Sequence, residues 1–158
     1  MRAMKTACLM GLVLLVSACA TAPPAAKSDP AAAEKEIMQR VDSMLSRYSQ
    51  NDQAGMVALL DPQHFTITGA DLPEVIDTPD KLRALMNGAF AQWGVAKYSD
   101  VRDVDVRVGG DLATAFFVLN WTLGEGGPTL PIRLHTTWHK VKGEWLLTQS
   151  SNVVLAQR

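Results

Sequence analysis

Cysteine is almost missing from this chain. Of 158 residues only Cys8 and Cys19 carry a thiol, and both fall near the start. From Ala20 onward there is therefore no disulfide framework, no thiolate nucleophile and no cysteine-based zinc site. Histidine is nearly as sparse, with only His64, His135 and His139. Positive charge is not in excess either, since 15 basic residues stand against 16 acidic ones. A surface with that balance has no electrostatic footprint for nucleic acid or anionic lipid, so no nucleic-acid partner is expected. Long apolar runs are absent apart from Thr6 to Val16, which is too short to cross a bilayer as a helix. What is present is enough apolar material, 47% of residues, to build one ordinary core.

The apolar run has a recognisable setting. Arg2 and Lys5 precede it, and the small residues Ser17 and Ala18 close it ahead of Cys19. That order of regions is a secretory signal rather than a membrane anchor. Val16-Ser17-Ala18-Cys19 also resembles a bacterial lipobox, whose cysteine is lipidated and becomes the mature N-terminus; an ordinary signal peptide with an incidental cysteine is the alternative. The resemblance implies a signal peptide over residues 1–18 and lipidation of Cys19. It also implies a cell-envelope location, and because Ala20 is not the aspartate retention signal, the outer membrane facing the periplasm in a Gram-negative host. Removing Arg2 and Lys5 leaves 13 basic residues against 16 acidic, so attachment to the membrane would come from lipid and not from a polybasic face. Residues 19–32 hold no large apolar side chain after the cysteine and read as a tether, kept extended by Pro23, Pro24 and Pro30.

A domain is expected over residues 33–158. Ile37, Val41, Met44, Leu45 and Tyr48 recur at helical spacing. Asn51 or Asp52 can cap a short second helix carrying Met56, Val57, Leu59 and Leu60, which Asp61-Pro62 stops. His64 to Thr68 reads as a short strand, followed by an irregular loop over residues 69–77. Thr78-Pro79 opens a third helix, with a capping hydroxyl followed by proline at the first helical position. Its apolar stripe is Leu82, Leu85, Met86, Ala89, Phe90 and Trp93. The period then falls to two. Strands are expected over residues 101–108, 112–123, 130–141 and 144–156, joined at Gly109-Gly110, a loop over 124–129 and Lys142-Gly143. Helices followed by a four-stranded antiparallel meander make an α+β fold, with three N-terminal helices packed on one face of a bent sheet.

That order resembles the SnoaL-like branch of the nuclear transport factor 2-like superfamily. The most specific segment is Ile67-Thr68-Gly69-Ala70-Asp71-Leu72-Pro73-Glu74-Val75, which is similar to that branch's "Gly-Thr-Asp-x-x-Glu" loop. Gly110-Asp111-Leu112-Ala113 is similar to its "Gly-Asp-x-Ala" strand opening. Arg133-Leu134-His135 and Gly143-Glu144-Trp145-Leu146-Leu147 are similar to its "Arg-x-Thr … Gly-x-Trp-x-Ile". The resemblance implies a cone-shaped, cystatin-like α+β domain with a pocket between sheet and helices. One departure is plain: where the family often carries His-x-His after the tryptophan, this chain has Gln149 and Ser151. A superfamily that hosts isomerases, dehydratases, cyclases and non-enzymes does not by its fold name an activity.

Among candidate groups, His135 and His139 invite a metal reading that strand geometry removes. Four strand residues separate them by ~13 Å, whereas two ligands of one zinc each lie about 2 Å from it; no metal site and no cofactor are expected. The partners of His135 depend on the Lys142-Gly143 hairpin. A two-residue loop pairs Val141 with Glu144 and sets His135 opposite Ser150. A three-residue loop with a glycine bulge pairs Lys140 with Glu144 and sets His135 opposite Gln149 and Arg133 opposite Ser151. The second register is the working expectation, because it gathers Arg133, His135, Gln149 and Ser151 as a polar island near Trp145, roofed by Leu82, Met86 and Phe90. Glu74 is the carboxylate expected to approach Arg133 or His135, either as a structural ion pair or for proton transfer. Asp71 reads as a turn aspartate, Asp103 and Asp105 as a solvated strand face, and Gly124 to Pro128 as a hairpin loop.

Two functions follow as expectations. The first is a lipid-anchored envelope protein binding a small, mostly apolar ligand or a protein partner without chemistry. The second is an isomerase, dehydratase or hydrolase-type enzyme using His135 as general acid or base with Glu74. Because Phe116 and Val118 alternate with Phe117 and Leu119, the sheet is apolar on both faces, and a homodimer through Phe116, Val118 and their neighbours is expected.

Overall fold

Capping side chains decide where the helices start. The computed structural model describes residues 30–69 and 75–155; the leader, Cys19, most of the tether, Asp71 and Glu74 lie outside them. Helix α1 (Pro30–Ser49) starts three residues before the expected domain boundary, with Pro30 as its first residue, and buries Ala33, Ile37, Val41, Met44 and Leu45. Asp52 caps α2 (Gln53–Ala58): its carboxylate accepts from the Gly55 N–H at 2.9 Å and from Arg47 Nη1 at 3.0 Å. Thr78 caps α3 (Pro79–Trp93), accepting from the Lys81 N–H at 3.3 Å, and Pro79 opens the first turn. No helix of the described residues is long and apolar enough to cross a membrane.

Six strands form one sheet: β1 (Thr66–Thr68), β2 (Val75–Ile76), β3 (Ala96–Gly109), β4 (Leu112–Leu123), β5 (Thr129–Val141) and β6 (Glu144–Val154), in the order β2-β1-β6-β5-β4-β3. The meander β3 to β6 is antiparallel as expected. The sheet as a whole is mixed, because β1 runs parallel to β6. The short strand β2 occupies part of the stretch read as irregular loop, pairing Ile76 with Ile67. The first hairpin turns at Gly110-Asp111, not Gly109-Gly110: Gly109 pairs with Leu112, and Gly110 takes φ 62°.

Edge strand β3 carries two register shifts, between Ser99 and Arg102 and between Arg102 and Asp105. Asp100 (φ 55°) and Asp103 (φ 52°) sit at these bulges in the left-handed region that aspartate tolerates better than most residues. Arg102 donates to the Asp100 carboxylate at 2.7 Å, and Arg107 does so to Asp105 at 2.9 Å. The simple alternation expected for Asp103 and Asp105 is thus broken, and the bent, charged edge resists pairing with another strand.

All three helices lie on one face of the sheet, and the core between them holds Ile37, Val41, Leu82, Phe117, Leu119, Trp138 and Leu147 with at most 1% exposure. Each such large apolar side chain contributes roughly 1.5–3 kcal/mol on burial. Two polar side chains in this layer are satisfied in sequence: the Trp138 indole donates to Thr136 Oγ1 at 2.9 Å, and that hydroxyl donates to the Ala115 carbonyl at 3.4 Å.

Candidate functional site

The faces of β5 and β6 determine what a ligand meets. The Lys142-Gly143 hairpin is the two-residue loop, with Val141 paired to Glu144 and both loop residues at positive φ (51° and 89°). Such a turn matches the strand twist. The expected three-residue loop is therefore not formed. Yet His135 does not end up opposite Ser150 either, because β6 bulges at Thr148, between the pairs Trp138–Leu147 and Thr137–Gln149. The Thr148 hydroxyl donates to the Thr137 carbonyl at 3.1 Å and holds the extra residue in place. His135 consequently pairs with Ser151, and Arg133 with Val153.

One extra residue flips the side-chain parity of β6. Before the bulge Trp145 and Leu147 point into the core; after it Ser150 and Asn152 point inward, with Gln149, Ser151 and Val153 on the other side. On β5, Ile132, Leu134, Thr136 and Trp138 are buried, so Arg133 and His135 also face outward. Arg133, His135, Gln149 and Ser151 do share a face, but it is the face away from the helices, where the Arg133 guanidinium lies 5.5 Å from the Phe116 ring centroid. Trp145 is buried under α1, its indole donating to Glu36 Oε2 at 2.9 Å. Phe90 is 43% exposed and borders a separate small recess with Met86 and Gly94. Of the expected roof only Leu82 lines the main cavity.

That cavity, of about 390 Å³, opens between α1, α3 and the sheet. Helix α3 rests on Leu82 and Met86, both nearly fully buried, while the neighbouring stripe Leu85, Ala89 and Trp93 overhangs the opening. Met44, Leu45 and Tyr48 of α1 close one side; Ile67, Gly69 and Ile76 close the other. The floor is Ile132, Leu134, Leu147, Ser150 and Asn152. At the far end Tyr98 and Trp121, a cross-strand pair, stack at 6.4 Å and 12°, with the Trp93 ring edge-on to Trp121 at 5.9 Å and Tyr48 edge-on to Tyr98 at 6.3 Å.

The described lining contains no carboxylate, imidazole, ammonium or guanidinium group. Its phenol at Tyr98 is pushed well above the usual tyrosine value by burial and by the neighbouring Tyr48, so it stays a neutral hydroxyl. The side chains of Ser150 and Asn152 make no hydrogen bond among the described residues, and the Trp121 indole N–H is buried without a polar partner. The one buried carboxylate among the described residues, Asp61, stands elsewhere: it accepts from the Gln63 N–H at 2.9 Å and lies 3.5 Å from His139 Nδ1. These two acceptor contacts, the Gln63 amide first, hold its carboxyl below the usual range against the opposing effect of burial. Among the described residues no group of three or more His, Cys, Asp or Glu could hold a metal ion.

The polar floor of the cavity, Ser150 and Asn152, and its aromatic end, Tyr98 and Trp121, were not among the residues expected from sequence. The buried alternation of β5 is legible there, and a two-residue Lys-Gly turn would pair it with β6; the bulge that shifts the register is not.

No protein-family model and no curated protein sequence matches the chain. Solved structures are similar to it in three dimensions. One is a putative dehydratase of the NTF2-like family from Streptomyces avermitilis, 14% identical, with a TM-score of 0.72 over 82% of this chain and 100% of that one. A second is an NTF2-like protein with a cystatin-like fold from Novosphingobium aromaticivorans, 15% identical, TM-score 0.65, over 78% of this chain and 82% of that one. A third is a ketosteroid isomerase-like protein from Erwinia carotovora atroseptica, 15% identical, TM-score 0.64, over 78% and 97%. At these identities the likeness concerns the fold alone.

Proposed function

We propose, starting from an NTF2-like, cystatin-like α+β fold around an uncharged cavity, that this is a lipid-anchored bacterial envelope protein. Its domain binds a small, mostly apolar ligand and does not convert it. The observation that carries the binding reading is the cavity itself: about 390 Å³, apolar, with a few inward polar groups. Ligand pockets have that size and composition. Proton transfer needs a side chain poised near the working pH, and the described lining offers none. The names of two similar structures are those of a dehydratase and an isomerase-like protein. An enzyme here would have to work without His135, which faces away from the cavity.

The anchor rests on the lipobox-like Val16-Ser17-Ala18-Cys19 and on the tether that follows it. A homodimer remains part of the reading. The outer face of the sheet exposes Phe116 (37%) and Val153 (56%) among Arg102, Asp105, Arg107 and Arg133. Charges of both signs around an apolar centre are self-complementary, as a two-fold interface requires. Val118 is already buried within the chain, at 5%, and adds nothing to that face.

The test is a fluorescence titration with N-phenyl-1-naphthylamine, an uncharged apolar probe. It is run on the full chain carrying Cys19→Ser, so that no acyl chain competes for the probe. Saturable binding of one probe per chain is expected, and Ala89→Phe, which fills the space under α3, should weaken it at least tenfold. Absence of saturable binding, or equal binding by the filled variant, overturns the reading.

A further inference from the structure

We infer that Ser150 and Asn152 are the hydrogen-bonding station of this cavity, and that its ligand is an uncharged, elongated apolar molecule with a carbonyl or hydroxyl group at the end that meets them. The inference rests on the cavity-binding reading above and narrows it to a chemical class.

Four observations lead there. The Thr148 bulge spends one residue of β6 to turn these two side chains inward; without it Gln149 and Ser151 would take their places. The two are ~7 Å apart along the strand, close enough for one ligand group to meet both side chains. Among the described residues Thr136, the Trp138 indole and Asp61 are buried polar groups with partners inside the chain, and the Trp121 indole N–H, buried without one, lies on the same cavity lining. Ser150, only 7% exposed, and Asn152 have no such partner among the described residues. Their polar atoms are open to the cavity, and a guest that covered them without a polar atom of its own would leave a hydroxyl and an amide unpaired, which costs roughly 1–3 kcal/mol. A hydroxyl and an amide offer both donors and an acceptor, which suits a carbonyl or a hydroxyl equally.

The opposite end sets the shape. Tyr98 lies on β3 and Asn152 on β6, three strand spacings apart, or ~14 Å at ~4.8 Å each. A molecule reaching from the stacked Tyr98–Trp121 rings to Asn152 is therefore longer than it is wide. Charge sets the last condition. A carboxylate or ammonium entering this lining would lose its water and find no counter-ion among the described residues, a penalty of several kcal/mol.

Three naphthalene probes separate these claims on the full chain carrying Cys19→Ser. N-phenyl-1-naphthylamine is neutral and has no carbonyl. Its 8-sulfonate, anilinonaphthalene sulfonate, has the same skeleton with a negative charge. The propionyl dimethylaminonaphthalene probe known as Prodan is neutral, and its emission shifts to the blue when its ketone stops accepting hydrogen bonds. The sulfonate should bind at least tenfold more weakly than its neutral parent. Asn152→Leu and the milder Ser150→Ala should each weaken Prodan up to about tenfold and shift its emission to the blue, a larger loss than either causes for N-phenyl-1-naphthylamine, while near-ultraviolet circular dichroism certifies that the variants are folded. If the sulfonate binds as tightly as the neutral parent, the neutral-ligand claim fails. If Prodan binds and both variants leave its affinity and emission unchanged, the station is wrong. Both results leave the cavity reading standing; only failure of every probe to bind the unmutated cavity would remove that reading as well.

Discussion

Replacing Gly124 by alanine should loosen the roof of the cavity, and a second glycine in the same loop supplies the control. Gly124 has φ 67°, and a Cβ built on it would sit well inside van der Waals contact with the backbone carbonyl oxygen of Trp93, the last residue of α3. The variant therefore carries two penalties. The first is the left-handed conformation, worth roughly 1–2 kcal/mol for a residue with a Cβ. The second is displacement of the helix end by a backbone clash, which no side-chain rotation relieves and which brings the total to about 2–4 kcal/mol. Gly126 has nearly the same φ, 70°, but nothing within 4 Å of its Cβ position, so Gly126→Ala carries the first penalty alone. Urea unfolding should show the Gly124 variant losing about 1–2 kcal/mol more than the Gly126 variant. By calorimetry the gap should be on the order of 3–5 °C in midpoint for each kcal/mol in a domain of this size. Because Trp93 overhangs the cavity, the Gly124 variant alone should also bind N-phenyl-1-naphthylamine more weakly. Equal stabilities would refute the close approach of loop to helix, and with it the way the cavity mouth is held.

Other outcomes follow from the same description. Cys19→Ser should move the protein from the membrane fraction to an unprocessed or soluble form; fractionation identical to wild type would refute the lipobox reading. Phe116→Asp should convert a dimer into a monomer by light scattering at micromolar concentration, and a monomeric parent would refute the dimer. Asp61, whose folded carboxyl titrates below its unfolded value, contributes stability that is present above the unfolded value near pH 4 and lost as pH falls through the folded one. Asp61→Asn should therefore flatten the acid limb of the unfolding midpoint against pH, and an unchanged limb would show that Asp61 is not its source. His135→Ala should leave probe binding unchanged, because the imidazole is on the far face of the sheet; a tenfold loss would return His135 to the site.

The elements that chemistry marks locally were legible in the sequence. Thr78 and Pro79 open α3, and Asp52, one of two candidate caps, caps α2. The alternation of β5 shows too, but the expected polar island assigned its faces the wrong way, and Ile132, Leu134, Thr136 and Trp138 are the inward row. What escaped were features set by pairings distant in the chain. The parallel pairing of β1 to β6 joins residues more than 80 positions apart, Thr66 to Gln149. The bulge at Thr148 depends on one hydroxyl reaching one carbonyl on the neighbouring strand. No local pattern announces it, because Leu146 to Val153 alternates plausibly in either parity. That single residue moved Gln149 and Ser151 to the outer face and put Ser150 and Asn152 in their place, whereas Arg133 and His135 face outward through the alternation of β5 itself, the opposite of the face expected for them. Phe90 missed the cavity for a related reason: α3 presents Leu85, Ala89 and Trp93 to it, a stripe rotated from the Met86 and Phe90 side.

The indole N–H signals in a two-dimensional nitrogen-correlated NMR spectrum test the central claim most directly, because the four tryptophans divide evenly about the cavity. Trp93 and Trp121 line it, whereas Trp138 and Trp145 are buried away from it, donating to Thr136 and Glu36. Saturating the protein with N-phenyl-1-naphthylamine should shift the Trp93 and Trp121 indole signals and leave those of Trp138 and Trp145 in place. Shifts confined to Trp138 and Trp145, or no shift while the probe is bound, would place the ligand somewhere other than this cavity and contradict the account.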